Sequence, residues 1–303
     1  MNSIEKCMCD FETYVMSYGA KDTVQYYHNN MMFFRCYLLH NGLKMDMDIN
    51  VLTKSDFVGY IAYHKARGVK NTSVRTYARA VKVFLRYCYN EGYLFDNITK
   101  GVKYPKADKK IVEPLTNARV QALLDYLATK KLAKRDTLIF RLMLECGLRR
   151  SEVINLDVDD VHFDEKYITV SNSKNNTSRV VPLSDSLAAL IESYIDDTIG
   201  ICIPPLILDR HEKKRVTKDA IDKMFSKMKV VDKRIHPHLL RHTFGTSFIL
   251  GGGSLEVLRV LMGHEDYNVT KEYLHIASQS KIIDLDIYKL DDVFFRVYNY
   301  NKE

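Results

Sequence analysis

Apolar residues recur at the three-and-four spacing of an α-helix along almost the whole chain, and the period shortens to two in one stretch only, between 157 and 183. A chain patterned in this way is expected to be mainly α with a small β-sheet, an α+β protein. Over residues 1–100 the spacing predicts four helices, near 3–18, 21–41, 53–67 and 71–91. Asn71-Thr72-Ser73 offers the last of these a capping start, and Tyr77, Val81, Phe84, Leu85 and Cys88 make one apolar stripe along it. That stripe is the expected core of a small helical N-terminal domain.

The run Lys103-Tyr104-Pro105-Lys106-Ala107-Asp108-Lys109-Lys110 neither extends the preceding helix nor starts another. It reads as a linker, giving a first domain over 1–104, a linker over 105–113 and a second domain over 114–303. Its lysines suit a solvated connection and equally a segment lying on nucleic-acid phosphates; position alone does not choose. The second domain opens with a helix through Val120–Leu124 and another over roughly 135–156, with Leu138, Ile139, Leu142, Met143 and Leu144 as its apolar set. Tyr167–Val170 and Arg179–Leu183 are predicted strands joined by the polar stretch 172–177. Helical spacing returns near 184–197, 217–229, 239–251, 254–263 and 268–277. The tail 279–303 carries Ile282, Ile283, Leu285, Ile287, Leu290, Val293, Phe294 and Phe295, more apolar surface than a free tail exposes. On composition alone it is expected to pack on its own domain.

Length and composition exclude several classes. A chain of 303 residues, 46% apolar and 27% charged, fits two globular domains and neither disorder nor a membrane protein. With acidic groups in its first dozen positions and no long uncharged apolar window, it is expected to be cytoplasmic. The six cysteines, at 7, 9, 36, 88, 146 and 202, lack the paired spacing of a zinc site and read as reduced core thiols. No metal and no cofactor is expected. The net charge of +7, concentrated in the N-terminal third, permits nucleic-acid binding without requiring it.

Four segments carry chemistry. In Gly147-Leu148-Arg149-Arg150-Ser151-Glu152 a glycine ends one helix and Ser151 is a candidate start for the next, leaving Arg149 at a junction from which it can clamp a phosphate; alone, it reads as a surface arginine beside a cap. Lys174 falls at the tip of the polar hairpin, where a lysine is ordinarily solvated but can also swing into a site. In His238-Leu239-Leu240-Arg241-His242 the residues at 238 and 241 share a helix face, and Pro237 suits the first turn, so the positive helix end adds to an anion site. A zinc pair of His236 and His238 is the competing reading, opposed by the intervening arginine and the lack of a nearby thiolate. Lastly, Leu261-Met262-Gly263-His264 is followed nine residues later by Tyr273, one of 20 tyrosines.

Taken in order, these residues run Arg, Lys, His-x-x-Arg, His, Tyr, and the chain resembles the tyrosine recombinase and phage integrase family. The family's T-G-x-R-x-S-E box corresponds to Cys146 through Glu152, with Cys146 in place of the threonine. Lys174 lies five residues before the arginine of an R-x-V-P-L strand at Arg179, flanked by Ser173 and Asn175 where glycines are frequent. The H-x-L-R-H box is unbroken at 238–242, and L-x-x-x-L-G-H is matched at its end by 261–264. The resemblance spans nearly the whole chain, a helical core-binding domain followed by the catalytic domain, without an arm-binding domain.

The resemblance implies that Tyr273 attacks a DNA phosphodiester, leaving a 3′-phosphotyrosyl link and a 5′ hydroxyl that then attacks a partner strand. Arg149 and Arg241 would offset phosphate charge in place of metal ions. His238 would accept the tyrosine proton, Lys174 would protonate the 5′ oxygen and His264 would hydrogen-bond the phosphate, with Glu152 orienting the basic groups. Double-stranded recombination sites are the implied partner. Arg75, Arg79 and Lys82 of the 71–91 helix would face the major groove, and Lys103, Lys106, Lys109 and Lys110 the phosphates. Four protomers on two duplexes are implied, with accessory DNA-bending or partner recombinase proteins as further candidates. Exchange of the tail 279–303 between protomers is the implied alternative to its packing on its own domain. The rivals are DNA relaxation of the type IB topoisomerase kind and a catalytically silent DNA-binding regulator.

Overall fold

The structure, a computed structural model, describes residues 2–106, 112–172, 177–198, 204–209, 214–264 and the two residues 270 and 273. The chain divides into two compact units, Met1–Lys110 and Ile111–Glu303.

The first unit is built from α1 (Ile4–Tyr18), α2 (Lys21–His40), α3 (Lys54–Ala66) and α4 (Asn71–Asn90). Ser3 caps α1 by accepting the Lys6 N–H, and Thr53 with Asp56 forms a reciprocal capping box on α3. The start expected at Asn71-Thr72-Ser73 differs: Lys70 is the residue flanking α4 and makes no side-chain cap bond. Phe11, Phe34, Tyr60 and Phe84 fill the centre, with edge-to-face ring pairs Phe11–Phe84 at 5.5 Å and Phe34–Tyr60 at 5.2 Å. The stripe on α4 is buried at Val81, Phe84, Leu85 and Cys88. Cys7 and Cys88 are buried thiols as read, but Cys9 and Cys36 are exposed. The helical turn explains this for Cys9, because Cys7 and Phe11 face the core one turn apart while Cys9 points the other way.

The second unit comprises α5 (Asn117–Ala128), α6 (Ala133–Glu145), α7 (Arg150–Asn155), β1 (Val161–His162), β2 (Tyr167–Asn172), β3 (Thr177–Pro182), α8 (Asp185–Thr198), α9 (Lys218–Met228), α10 (Pro237–Leu250) and α11 (Leu255–Met262). Helix α6 is the axis of its core: Leu138, Ile139, Phe140, Leu142 and Met143 are wholly buried, and α5, α8 and α10 pack around it. The helical pattern over 135–156 is two helices, divided at the glycine expected to end a helix. Gly147 takes φ +62°, a left-handed conformation that breaks the helix, and α7 restarts at Arg150 with Arg149, not Ser151, as its flanking residue. The strands form an antiparallel meander in the order β1-β2-β3, pairing Ile168 with Val181 and Val170 with Arg179. Strand β1 is two residues long, too short for periodicity to reveal. Of the helix expected over 268–277, Thr270 and Tyr273 are described and both are helical. Lys109, Lys110, Lys174, Cys202 and the tail 279–303 lie outside the described residues. Among the described residues no helix is long and apolar enough to cross a membrane.

Candidate active site

The centre of the site is a buried carboxylate. Glu152, 8% exposed, sits on the first turn of α7 beside the corner that Gly147 creates. The Arg149 backbone N–H donates to its Oε2 at 2.7 Å and Arg149 Nη1 to its Oε1 at 2.8 Å. From β3, Arg179 adds a two-pronged contact, Nη1 to Oε1 at 2.9 Å and Nη2 to Oε2 at 2.7 Å. Arg241, 5% exposed on α10, brings Nη1 within 4.0 Å of Oε2. Burial alone would raise the Glu152 carboxyl, but the Arg179 and Arg149 contacts outweigh it and hold the group at about 2. The carboxylate is therefore ionised at any neutral pH.

The same three arginines grip the end of α11. Gly263 closes that helix at φ +58°, and the three carbonyls before His264 each accept one guanidinium: Leu261 from Arg179 Nε at 2.7 Å, Met262 from Arg241 Nη2, and Gly263 from Arg149 Nη2 at 3.0 Å. A helix C-terminus carries partial negative charge, so cations there are favourable. Arg241 also donates to the Gly147 carbonyl, tying the α6–α7 corner to α10. A methyl group at Gly147 would stand 2.4 Å from the Phe244 ring, so backbone angle and packing both demand glycine there. Burial and the neighbouring Arg149 lower Arg241 to about 9, which leaves it charged at neutral pH. Three guanidiniums against one carboxylate leave an excess of positive charge, the electrostatics of an anion site.

The histidines and the tyrosine border this excess. His238 stands on the first turn of α10; burial, then His236, Arg241, Arg150 and Arg149, lower its pKa. His264 follows the gripped turn and its Nδ1 lies 3.0 Å from the hydroxyl of the fully buried Thr270. Burial first, then Arg241, Arg149 and Arg179, bring it down to about 4, so both rings are neutral at neutral pH. The Tyr273 ring is 8% exposed, with its centroid 5.2 Å from the His242 ring and 6.4 Å from that of His264, to which it is nearly parallel. It rests on α10 at Gly245, where an added Cβ would come within 2.6 Å of the ring. The structure thus brings Arg149, Glu152, His238, Arg241, His264 and Tyr273 to one place, while Lys174 lies outside the described residues.

Arg179 was legible as a strand landmark and not as part of the site, although it shares the inward parity of Val181 and Leu183, and a cation on the core face of a strand is itself a signal. Thr270 carries no such signal. Cys146 is buried with Sγ 3.7 Å from the Pro182 carbonyl, a packing role beside the arginine corner. His236 is exposed, and among the described residues no group of three or more His, Cys, Asp or Glu could hold a metal ion. In the first unit, Arg79, Lys103 and Lys106 are exposed. Arg75 is half-buried and donates to the Pro105 carbonyl at 3.1 Å, and the Lys82 ammonium stands 5.8 Å from the Tyr104 ring centre. Those two cations are partly engaged by their own chain.

Comparison with known proteins identifies the family. Residues 113–280 match the phage integrase family. A tyrosine recombinase of Pseudothermotoga lettingae is 28% identical over 280 residues, covering 92% of this chain and 96% of its own. The tyrosine recombinase XerC of Psychromonas ingrahamii is 30% identical over 228 residues, 73% of this chain and 76% of its own. Among solved structures, the Tn1549 transposon integrase in complex with transposon right end DNA shares the fold, with a TM-score of 0.72 at 17% identity over 92% of this chain and 98% of that one. More than half of the sequence, the order of its boxes and the convergence of their side chains carry the same assignment: the chain belongs to the phage integrase family and is a tyrosine recombinase.

Proposed function

We propose that this recombinase cleaves and rejoins DNA at specific sites through a 3′-phosphotyrosyl intermediate formed on Tyr273. The observation that carries the reading is the seat of that tyrosine, on α10 against Gly245, beside His264 and close enough to Arg241 for the two charges to interact. A phosphodiester placed on the guanidiniums of Arg149 and Arg241 has the negative charge of its non-bridging oxygens met by two fixed cations, and this electrostatic help grows as charge builds in the transition state.

The tyrosine hydroxyl, with an ordinary pKa near 10, must lose its proton to attack. His238 is lowered by burial and by the arginines around it, so it is neutral at neutral pH with a lone pair available to accept that proton. The Thr270 hydroxyl lies 3.0 Å from His264 Nδ1, and donated to that nitrogen it would leave the ring hydrogen on Nε2 for the phosphate. Lys174 would protonate the departing 5′ oxygen. The new tyrosyl ester conserves the energy of the broken bond, and a 5′ hydroxyl from a partner strand reverses the step to complete exchange. Double-stranded DNA is the substrate, contacted by Arg75, Arg79 and Lys82 on α4 and by Lys103, Lys106, Lys109 and Lys110. The working assembly is four protomers on two duplexes.

The test is to incubate the protein with fragmented DNA, denature it and recover covalently held fragments. Wild type is expected to retain DNA and Tyr273→Phe to bind without retaining any; a trapped adduct in Tyr273→Phe would refute the assignment. A two-site exchange assay run beside supercoil relaxation separates recombination from a relaxing enzyme.

A further inference from the structure

Two of the three arginines around Glu152 have a task at the phosphate, and the third does not. The Arg179 side chain is 9% exposed, and its Nε, Nη1 and Nη2 all donate within the protein, to the Leu261 carbonyl and to both Glu152 oxygens. Arg149 and Arg241 make their contacts through Nη1 and Nη2 alone, whereas Arg179 commits Nε as well, so of the three it is the guanidinium engaged at every nitrogen and is not offered to substrate. Its position is nevertheless central. It stands on β3 opposite Val170 of β2, the strand pair whose connection contains Lys174, and it touches both the carboxylate that holds Arg149 and the turn that leads into His264. The turn lies directly against it: a Cβ at Gly263 would meet Arg179 Nη1 at 3.1 Å and Cδ at 3.3 Å.

We propose that Arg179 is a positioning residue for strand cleavage, one that locks the Glu152 carboxylate to the α11 carbonyl end and thereby fixes where Arg149 and His264 stand around the phosphate. The proposal deepens the strand-cleavage reading and rests on it. A planar fork with a separate Nε donor makes the three contacts at once; a lysine ammonium keeps the charge but cannot match both carboxylate oxygens and a carbonyl in that geometry. Displacement of a catalytic group by about 1 Å slows chemistry on the order of 100-fold. Arg179 also contributes most among the groups that hold Glu152 ionised, so its loss lets that carboxyl take up a proton nearer to neutral pH.

The experiment compares wild type, Arg179→Lys, Arg179→Gln and Tyr273→Phe in full-length protein, below the melting midpoint of the least stable. It reads DNA affinity, the rate of covalent adduct formation at saturating DNA, and that rate between pH 5.5 and 9. Arg179→Lys preserves the buried positive charge and guards against the unfolding that a bare carboxylate in Arg179→Gln would promote. The expected result is affinity within about threefold of wild type and, in Arg179→Lys, a saturated rate lower by about 100-fold. Arg179→Gln is expected to move the acid-side fall in rate, which protonation of His238 already gives wild type, to higher pH. A saturated rate in Arg179→Lys within threefold of wild type overturns the proposal, as does a loss confined to DNA affinity, which would make Arg179 a DNA contact. If wild type itself forms no adduct, the strand-cleavage reading falls and takes the proposal with it.

Discussion

Replacing Gly245 by alanine adds one methyl group to the middle of α10, at the point where the Tyr273 ring rests. For the backbone the change is favourable: alanine in a helix interior is more stable than glycine by roughly 0.5–1 kcal/mol. The side chain meets the opposite situation. The new Cβ would lie 2.6 Å from one ring carbon of Tyr273 and 2.9 Å from the carbon bearing its hydroxyl. Carbon atoms rest at about 3.5–4.0 Å, so the ring must retreat by about 1 Å, and overpacking of this kind costs about 1–3 kcal/mol. The two effects nearly offset, leaving a net loss of about 1 kcal/mol, which for a unit of this size shifts the melting midpoint by about 2–4 °C. Chemistry is far less forgiving, because a displacement of 1 Å in the attacking group slows it by roughly 100-fold. The assay pairs a thermal melt with single-turnover adduct formation on a nicked duplex whose cleaved strand diffuses away. Near-wild-type melting with a large loss of rate is the expected result. A variant that melts and cleaves like wild type would refute the argument, since the tyrosine would then not be seated on α10.

Further outcomes follow from the same packing. Gly147→Ala forces an L-residue into φ +62° and drives a methyl into the Phe244 ring at 2.4 Å, so a destabilisation of roughly 3 kcal/mol is expected in urea melts. Shortening the obstacle with Phe244→Leu should recover part of it. Glu152, held at about 2 against an ordinary value near 4.3, contributes stability that is present in full above the unfolded value and is lost as pH falls from about 4 towards 2. Two units correspond to roughly 3 kcal/mol, so Glu152→Gln should be clearly less stable than wild type at pH 7, with about half of that difference gone by pH 3 and the rest lost as pH falls through about 2 in denaturant titrations. Thr270→Val keeps the packing of a fully buried side chain but removes the partner of His264 Nδ1. Adduct formation should slow by roughly tenfold, while the lost hydrogen bond lowers stability by about 1 kcal/mol in the melt.

The helices were legible because each buries one face, and periodicity records that directly; α2 and α9 begin and end within a residue or two of the expected bounds. The α6–α7 break was legible at Gly147 as a helix end, but the restart at Arg150 and what forces the turn were not. Apolar spacing runs on through Leu144, Leu148 and Val153, and the turn is set by Phe244, 97 positions away, leaving no room for a Cβ at Gly147. Contacts between residues so distant in sequence leave no local pattern. The site was legible as an order of residue types, since His238 and Arg241 share one helix face and Arg149 sits at a helix junction. What the sequence did not disclose is that three arginines, from the α7 N-cap, β3 and α10, meet at one carboxylate and three consecutive carbonyls. The exposed Cys9 and Cys36 show the opposite error, in which residue type was read without its position around the helix.

The account turns on one covalent bond, and mass spectrometry can locate it. Wild-type protein caught on a duplex whose cleaved strand is lost, then digested with protease and nuclease, should yield a peptide containing Tyr273 that carries a nucleotide on the tyrosine oxygen, with a free 5′ hydroxyl on the released strand. A nucleotide attached to another residue, or a 5′ phosphate on the released strand, would contradict the account.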